Sequence, residues 1–256
     1  MRIGIMAVAS PLEIPYIDEW ISWHRGLGID EFFLCLNDWS ENDRVELTKV
    51  IWKHLADKCV HTFIMDGTLV QLPAYNQMLE TAKSYDIDWL AAIDIDEFIK
   101  IRSDRKIGDI LEEHTNDISI GVNWRLYGNN GHDELNGDYS VLRRFTKCEK
   151  VLNHHVKQIL NLRSRTSQRF INPHCLIMSA KNLEGHSFYG PFNEENLDKT
   201  HELEIAHYAV KSREECRIRR SFRRCDTGEP REEGWENFFL EHNKNDIEES
   251  ELRYEK

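Results

Sequence analysis

A chain of 256 residues with 40% hydrophobic residues, 7 Trp and 11 Phe has apolar material for one large domain or two small ones, which argues against disorder. A net charge of -12 argues against general nucleic-acid binding. No apolar run approaches the ~18 residues of a membrane helix, and the six cysteines (Cys35, Cys59, Cys148, Cys175, Cys216, Cys225) show no CxxC spacing, so they read as reduced thiols and not as a zinc site.

Strand and helix signals alternate through the first half. Ile3–Ala9, followed by Ser10-Pro11-Leu12-Glu13, reads as a first buried strand and not as a signal peptide. A helix is expected over 15–25, with Ile14, Ile17, Trp20, Ile21 and His24 on one side and Gly26 and Gly28 ending it. Then come a strand at 31–36 that stops at Asn37-Asp38, a helix over 45–56, a strand at 60–65, a helix over 73–85 and a strand at 89–95. This order predicts an α/β fold with a mainly parallel, Rossmann-like sheet and helices on both faces. Ligands of such sheets bind outside the carboxyl ends of the strands, where Ser10, Asn37-Asp38, Asp66-Gly67 and Asp94-Ile95-Asp96 fall.

After residue 107 a short helix (107–114) leads to a strand (118–126) and a Gly/Asn-rich loop (127–134). Short strands follow over 139–180, then an extended segment ending in His207-Tyr208 and a basic helix. The simplest organisation is one domain over 1–256, with a nucleotide-binding half (1–106), an acceptor-side half with a smaller β region (107–225) and an acidic C-terminal segment (226–256).

The chemistry concentrates where Trp89-Leu90-Ala91-Ala92-Ile93 runs into Asp94, Asp96 and Glu97. Crowded carboxylates repel unless a cation neutralises them. Asp94 and Asp96 share a side if the segment stays extended, and together they suit Mn²⁺ or Mg²⁺ and a diphosphate. Their rival role is helix N-capping by Asp96. His207 is a candidate further ligand that favours Mn²⁺, or else a structural histidine. Residues 9–14 form either a capping box, Ser10 with Glu13, or a loop free to contact a nucleotide. Lys157 and His174 are candidate neighbours of a departing diphosphate, where a cation stabilises developing charge. Gly128-Asn129-Asn130-Gly131 lacks a phosphate-cradle pattern, whereas Trp124 and Tyr127 suit a sugar face, unless Trp124 is core.

Charge is uneven. Residues 229–256 hold ten acids against four bases, and residues 211–224 hold seven bases against two acids. The basic set (Lys211, Arg213, Arg217, Arg219, Arg220, Arg223, Arg224) reads as a solvated helix face or as a surface for substrate phosphates or an anionic bilayer.

The order of motifs resembles GT-A glycosyltransferases of the bacterial family-2-like group similar to family 92. It runs from Glu13-Ile14-Pro15-Tyr16-Ile17-Asp18-Glu19-Trp20-Ile21 through Asn37-Asp38, Gln71 with Ala74-Tyr75-Asn76, Trp89–Phe98 and Asn123-Trp124-Arg125. It continues with Gly131-His132, His155–Ile159, Asn172-Pro173-His174 and His207–Glu215. The chain departs at Pro11-Leu12-Glu13, Asn37-Asp38-Trp39-Ser40 and Ala206-His207-Tyr208. The resemblance implies a metal-dependent transfer of a sugar of galactose type from a UDP-sugar to a lipopolysaccharide or capsule glycan, by an inverting route, with a retaining route, which needs no base on the acceptor hydroxyl, as the alternative. It implies a cytoplasmic protein, peripheral on the membrane through 211–224. Asp96 and His207, with Asp94, would hold Mn²⁺ or Mg²⁺. Ala9, Glu13, Asn37, Asp38, Gln71, Asn76 and Asp94 would bind the nucleotide. Trp124, Gly131, His132, His174 and Lys211 would face the acceptor sugar. Lys157 would neutralise the diphosphate, and Asp133 or Glu134, then His132, would be the base. A metal-dependent nucleotidyltransferase and a non-catalytic glycan-binding module are the alternatives.

Overall fold

A computed structural model describes residues 1–222, 227–228 and 234–249. The first half alternates as its hydrophobic pattern predicts: β1 (Ile3–Ala9), α1 (Ile14–Leu27), β2 (Glu31–Asn37), α2 (Glu41–Val50), α3 (Trp52–Ala56), β3 (Val60–Met65), α4 (Gln71–Ser84) and β4 (Trp89–Ala92). The second half runs β5 (Glu97–Ile101), α5 (Ile107–Glu112), β6 (Ser119–Leu126), α6 (Val141–Arg144), β7 (Lys147–Cys148) and β8 (Val156–Asn161). Four short strands follow, β9 (Phe170–Asn172), β10 (Cys175–Leu176), β11 (Ala180–Lys181) and β12 (Ser187–Phe188). The last elements are β13 (Leu203–His207), α7 (Arg213–Arg220), α8 (Trp235–His242) and β14 (Ile247–Glu248).

The main sheet has the order β12-β11-β6-β8-β4-β1-β2-β3. Its β4-β1-β2-β3 part is parallel, and β8 runs antiparallel between β4 and β6. This is an α/β arrangement, with strands from both halves of the chain in one sheet. Helices cover both faces. Trp20 and Ile17 of α1 pack with Phe32 and Trp89 on one side, and Tyr75, Met78 and Leu79 of α4 pack with Phe33 and Leu90 on the other. Because both faces are covered, β1, β2 and β4 read as unbroken apolar runs.

Three expectations change. The helix expected over 45–56 is two, α2 and α3, divided at a fully buried Ile51 whose backbone leaves the helical region (φ -106°, ψ 17°). The strand expected to run to Ile95 stops at Ala92, and a turn closed by Glu97 N–H to Asp94 C=O (3.0 Å) leads into β5. Asp94 and Asp96 therefore meet at a turn and not by the period-two rule of an extended strand. The acidic C-terminal segment is partly structural. Glu249 pairs with Lys100 and, at 2.7 Å, with Arg102, and β14 pairs with β7. Gly128 permits this return, since a Cβ there would lie 2.4 Å from the Lys244 carbonyl oxygen. Five cysteines are free and buried, while Cys225, with Arg223 and Arg224, lies outside the described residues.

Candidate active site

A cavity of about 380 Å³ opens above the carboxyl ends of β1, β2 and β4. Its floor includes Ala9, Ser10, Asn37, Asp38, Asp94 and Asp96, and its sides include Gln71, Trp124, His174, His207 and Arg219. Residues 11–13 form the capped turn of the first reading, and the turn lines the cavity. The Glu13 carboxylate accepts from the Ser10 N–H and hydroxyl, both at 2.5 Å.

The acidic turn is held by two separate cation systems. Asp94 accepts from the Tyr75 hydroxyl (3.1 Å) and from the Lys157 ammonium (2.9 Å). Burial alone would raise the Asp94 carboxyl, but the Lys157 charge outweighs it and holds it below the ordinary range. Lys157 is fully buried and points at Asp94 and Glu97 (3.6 Å), so it acts on the carboxylates behind the cavity and is not among its lining residues. Glu97 accepts the Asp94 N–H at 2.9 Å, and burial pushes its carboxyl well up despite Lys157. It is a brace for the turn.

Asp96 is 2% exposed. One carboxylate oxygen takes the Arg219 guanidinium and lies 3.6 Å from His207 Nε2, while the other, buried, has no hydrogen-bond partner among the described residues. Burial raises this carboxyl, and Arg219 first, then His207, bring it well below its usual value. His207 arrives because β13 inserts between β5 and β6. It stands opposite Glu97 and Leu126 in register, and Tyr208 N–H bonds the Asp96 carbonyl at 2.8 Å. The Trp124 ring, 4.2 Å from that of His207 and stacked on His155 at 4.9 Å, fixes the imidazole and is 8% exposed. Burial, with the Lys157 charge, lowers His174 to about 3, so it is neutral, and its Nδ1 meets the Val156 carbonyl at 3.1 Å.

The remaining sequence candidates are placed as follows. Asn37 donates to the Met65 and Gly67 carbonyls, and Asp38, at φ 58°, accepts the Gly67 N–H, so the pair shapes the rim after β2. Asn76 does not line the cavity. It exchanges hydrogen bonds with the Phe170 backbone and ties β9 to α4. Gly131, His132, Asp133 and Glu134 line neither this cavity nor the second one described below, and Asp133 and Glu134 are exposed. Lys211 lines the second cavity. Of the basic segment, Arg219 and Arg220 enter the main cavity, while Arg213 pairs with Glu236 at 3.3 Å. Sequence reasoning did not anticipate the outer wall made by Phe222 and Phe238. The signal was there in Trp235, Phe238 and Phe239, spaced at helical intervals inside an acidic run.

No family model and no curated protein matches this chain. Among solved structures it is similar to S. aureus TarS in complex with UDP (13% identity over 63% of this chain and 47% of that one, TM-score 0.41). It is also similar to HddC from Yersinia pseudotuberculosis (11%, 62% and 73%, TM-score 0.33). A third is the mannosyltransferase Ktr4p from S. cerevisiae in complex with GDP (9%, 49% and 41%, TM-score 0.30). The chain spans about half the length of the TarS structure it matches. Similarity of this extent carries none of those proteins' activities to this chain.

Proposed function

We propose that this protein transfers a sugar from a UDP-sugar to a hydroxyl of a glycan or glycolipid, as in the family-2-like and family 92 glycosyltransferases its motifs resemble. The observation that carries the reading is Asp96 with His207, beyond the carboxyl ends of the parallel strands, leaving one buried carboxylate oxygen with no partner among the described residues. Among the described residues no three His, Cys, Asp or Glu side chains are grouped to hold a metal by themselves. Two protein ligands completed by phosphate oxygens and water are the usual shape of a diphosphate-linked ion, and the imidazole favours Mn²⁺. The residues fit such an ion. When bound it would supply Lewis-acid stabilisation of the departing diphosphate.

The chain's own groups do the rest. Asp94, anchored by Tyr75 and Lys157, lines the cavity where it would meet the donor's ribose or help to hold the ion. Asn37, Asp38 and Gln71 border the base and ribose. Arg219, now on Asp96, is within the cavity and can turn its charge to the diphosphate. Glu13 is the carboxylate that lines both cavities, which favours it over the exposed Asp133 and Glu134 as the acceptor's base in an inverting route.

A donor screen tests this. With Mn²⁺ the protein should release UDP from a UDP-hexose, and EDTA should stop it. Release of pyrophosphate from UTP and a sugar phosphate would favour a nucleotidyltransferase instead. Glycan binding indifferent to EDTA, with no affinity for UDP, would leave a binding module.

Arg219→Gln separates the two uses of Asp96. With its resident counter-charge gone, Mn²⁺ should bind the nucleotide-free protein roughly tenfold tighter, worth ~1.4 kcal/mol, while UDP binds more weakly. Titration followed by the Mn²⁺ electron paramagnetic resonance signal reads the first and calorimetry the second. Unchanged Mn²⁺ affinity would show that Arg219 does not compete for the site.

A further inference from the structure

A second cavity of about 270 Å³ adjoins the first and shares Pro11, Leu12, Glu13, Ala209 and Arg219 with it. Its other walls are largely apolar or aromatic. Tyr16 and Tyr139 meet edge to face with ring centroids 5.8 Å apart, a surface on which the C–H face of a sugar ring packs well.

Most of the charged groups around it have a close partner. Glu215 is held by Arg144 (2.7 Å) and by the Tyr16 hydroxyl (2.5 Å), Arg219 by Asp96, and Glu13 accepts from Ser10. Lys211 is 6% exposed, and among the described residues it has no carboxylate within ion-pair distance, although the charges of Asp96, Glu215 and Glu13 reach it from further away. Its ammonium sits 4.9 Å from the Tyr16 ring centroid. A ring face alone is a weak substitute for an anion at a site removed from water. Its backbone is also held at φ 51°, in the left-handed region that a lysine rarely adopts. A largely buried cation with no close ion-pair partner among the described residues, on a strained backbone beside the proposed transfer site, is suited to a negatively charged ligand.

We propose that this second cavity holds the acceptor, and that the acceptor is an acidic sugar residue whose anion, a carboxylate or a phosphate, pairs with Lys211 while its ring lies on Tyr16 and Tyr139. The proposal deepens the glycosyl-transfer reading and rests on it for the word acceptor, but the pocket's preference for an acid can be measured without turnover.

The test uses the full chain with UDP and Mn²⁺ and three probes: phenyl β-glucuronide, phenyl β-glucoside 6-phosphate and neutral phenyl β-glucoside. Saturation-transfer NMR titrations should show at least one acidic glycoside binding about tenfold or more tighter than the neutral one. The tighter of the two acids identifies carboxylate or phosphate. Lys211→Met should erase the preference for acid, and Lys211→Arg should keep part of it. Tyr139→Ala, at a partly exposed position, should weaken acidic and neutral probes alike and leave their ratio intact. Equal binding of acidic and neutral probes, or a preference that survives Lys211→Met, overturns the proposal. If UDP binds but no acid preference exists, this inference fails alone. If the acid preference appears without UDP binding, the pocket stands and the donor reading fails.

Discussion

Lys157→Met is expected to destabilise the protein by about 3–5 kcal/mol at neutral pH, the cost of leaving buried acids without their cation. The ammonium is fully buried, and both its partners, Asp94 and Glu97, belong to the acidic turn. Burial would push the lysine's pKa down, yet Asp94 and Glu97 hold it well above the ordinary value. Its contribution is therefore present throughout the range below ~10.4 and lost only at more alkaline pH. Asp94, whose carboxyl is depressed, adds stability above its unfolded value of ~3.9, and that is lost as pH falls through the lower folded value. Glu97 has the opposite sign. Its raised folded value makes it a cost that grows as pH climbs past ~4.3 towards that value. Without Lys157 both carboxyls take up protons more readily, and the variant loses stability with rising pH. The gap between wild type and variant in urea unfolding should be widest at pH 7–8 and narrow towards pH 4. Equal urea midpoints at pH 7 would mean that Lys157 is not the charge that holds the turn.

Much of the first half of the chain was legible because its strands are buried on both faces. Ile3–Ala9 and Glu31–Asn37 are continuous apolar runs, and α1 carries its core residues at helical spacing. The turn at 93–96 was not legible. Trp89–Ile95 is uniformly apolar up to Asp94, and only the closure between Glu97 N–H and Asp94 C=O ends the strand. Lys157 was misplaced for a related reason. The whole of β8 is buried, so the lysine expected beside a departing diphosphate points into the protein, onto Asp94. The pairing of His207 with Asp96 depends on β13 entering between β5 and β6, a non-local pairing that no window of sequence contains. Asn76 shows the converse. Its motif position suggested a nucleotide contact, and its amide is spent on the Phe170 backbone.

The same non-local pairing makes Asp96→Asn the most damaging change for activity. A neutral amide keeps the shape of the side chain but presents one weak oxygen donor and an N–H₂ group that faces Arg219 and His207. Mn²⁺-supported UDP release should fall roughly 10³-fold, the scale of losing a preorganised charge at a transition state. Stability should suffer far less than in Lys157→Met, by about 1–2 kcal/mol, since the orphaned Arg219 side chain is 28% exposed and can turn to water. On the proposed reading the two variants dissociate the halves of one acidic turn: Lys157→Met is expected to act on folding through Asp94, and Asp96→Asn on ligand binding through the carboxylate oxygen that has no partner among the described residues. Turnover, Mn²⁺ affinity and urea midpoint measured together would show it. Asp96→Asn with undiminished turnover would remove the metal from the mechanism, and Asp96→Asn as unstable as Lys157→Met would make the Asp96–Arg219 pair a structural tie. An inactive, well-folded variant that still binds UDP through the Asn37, Asp38 and Gln71 rim would assign Asp96 to the diphosphate end of the donor alone.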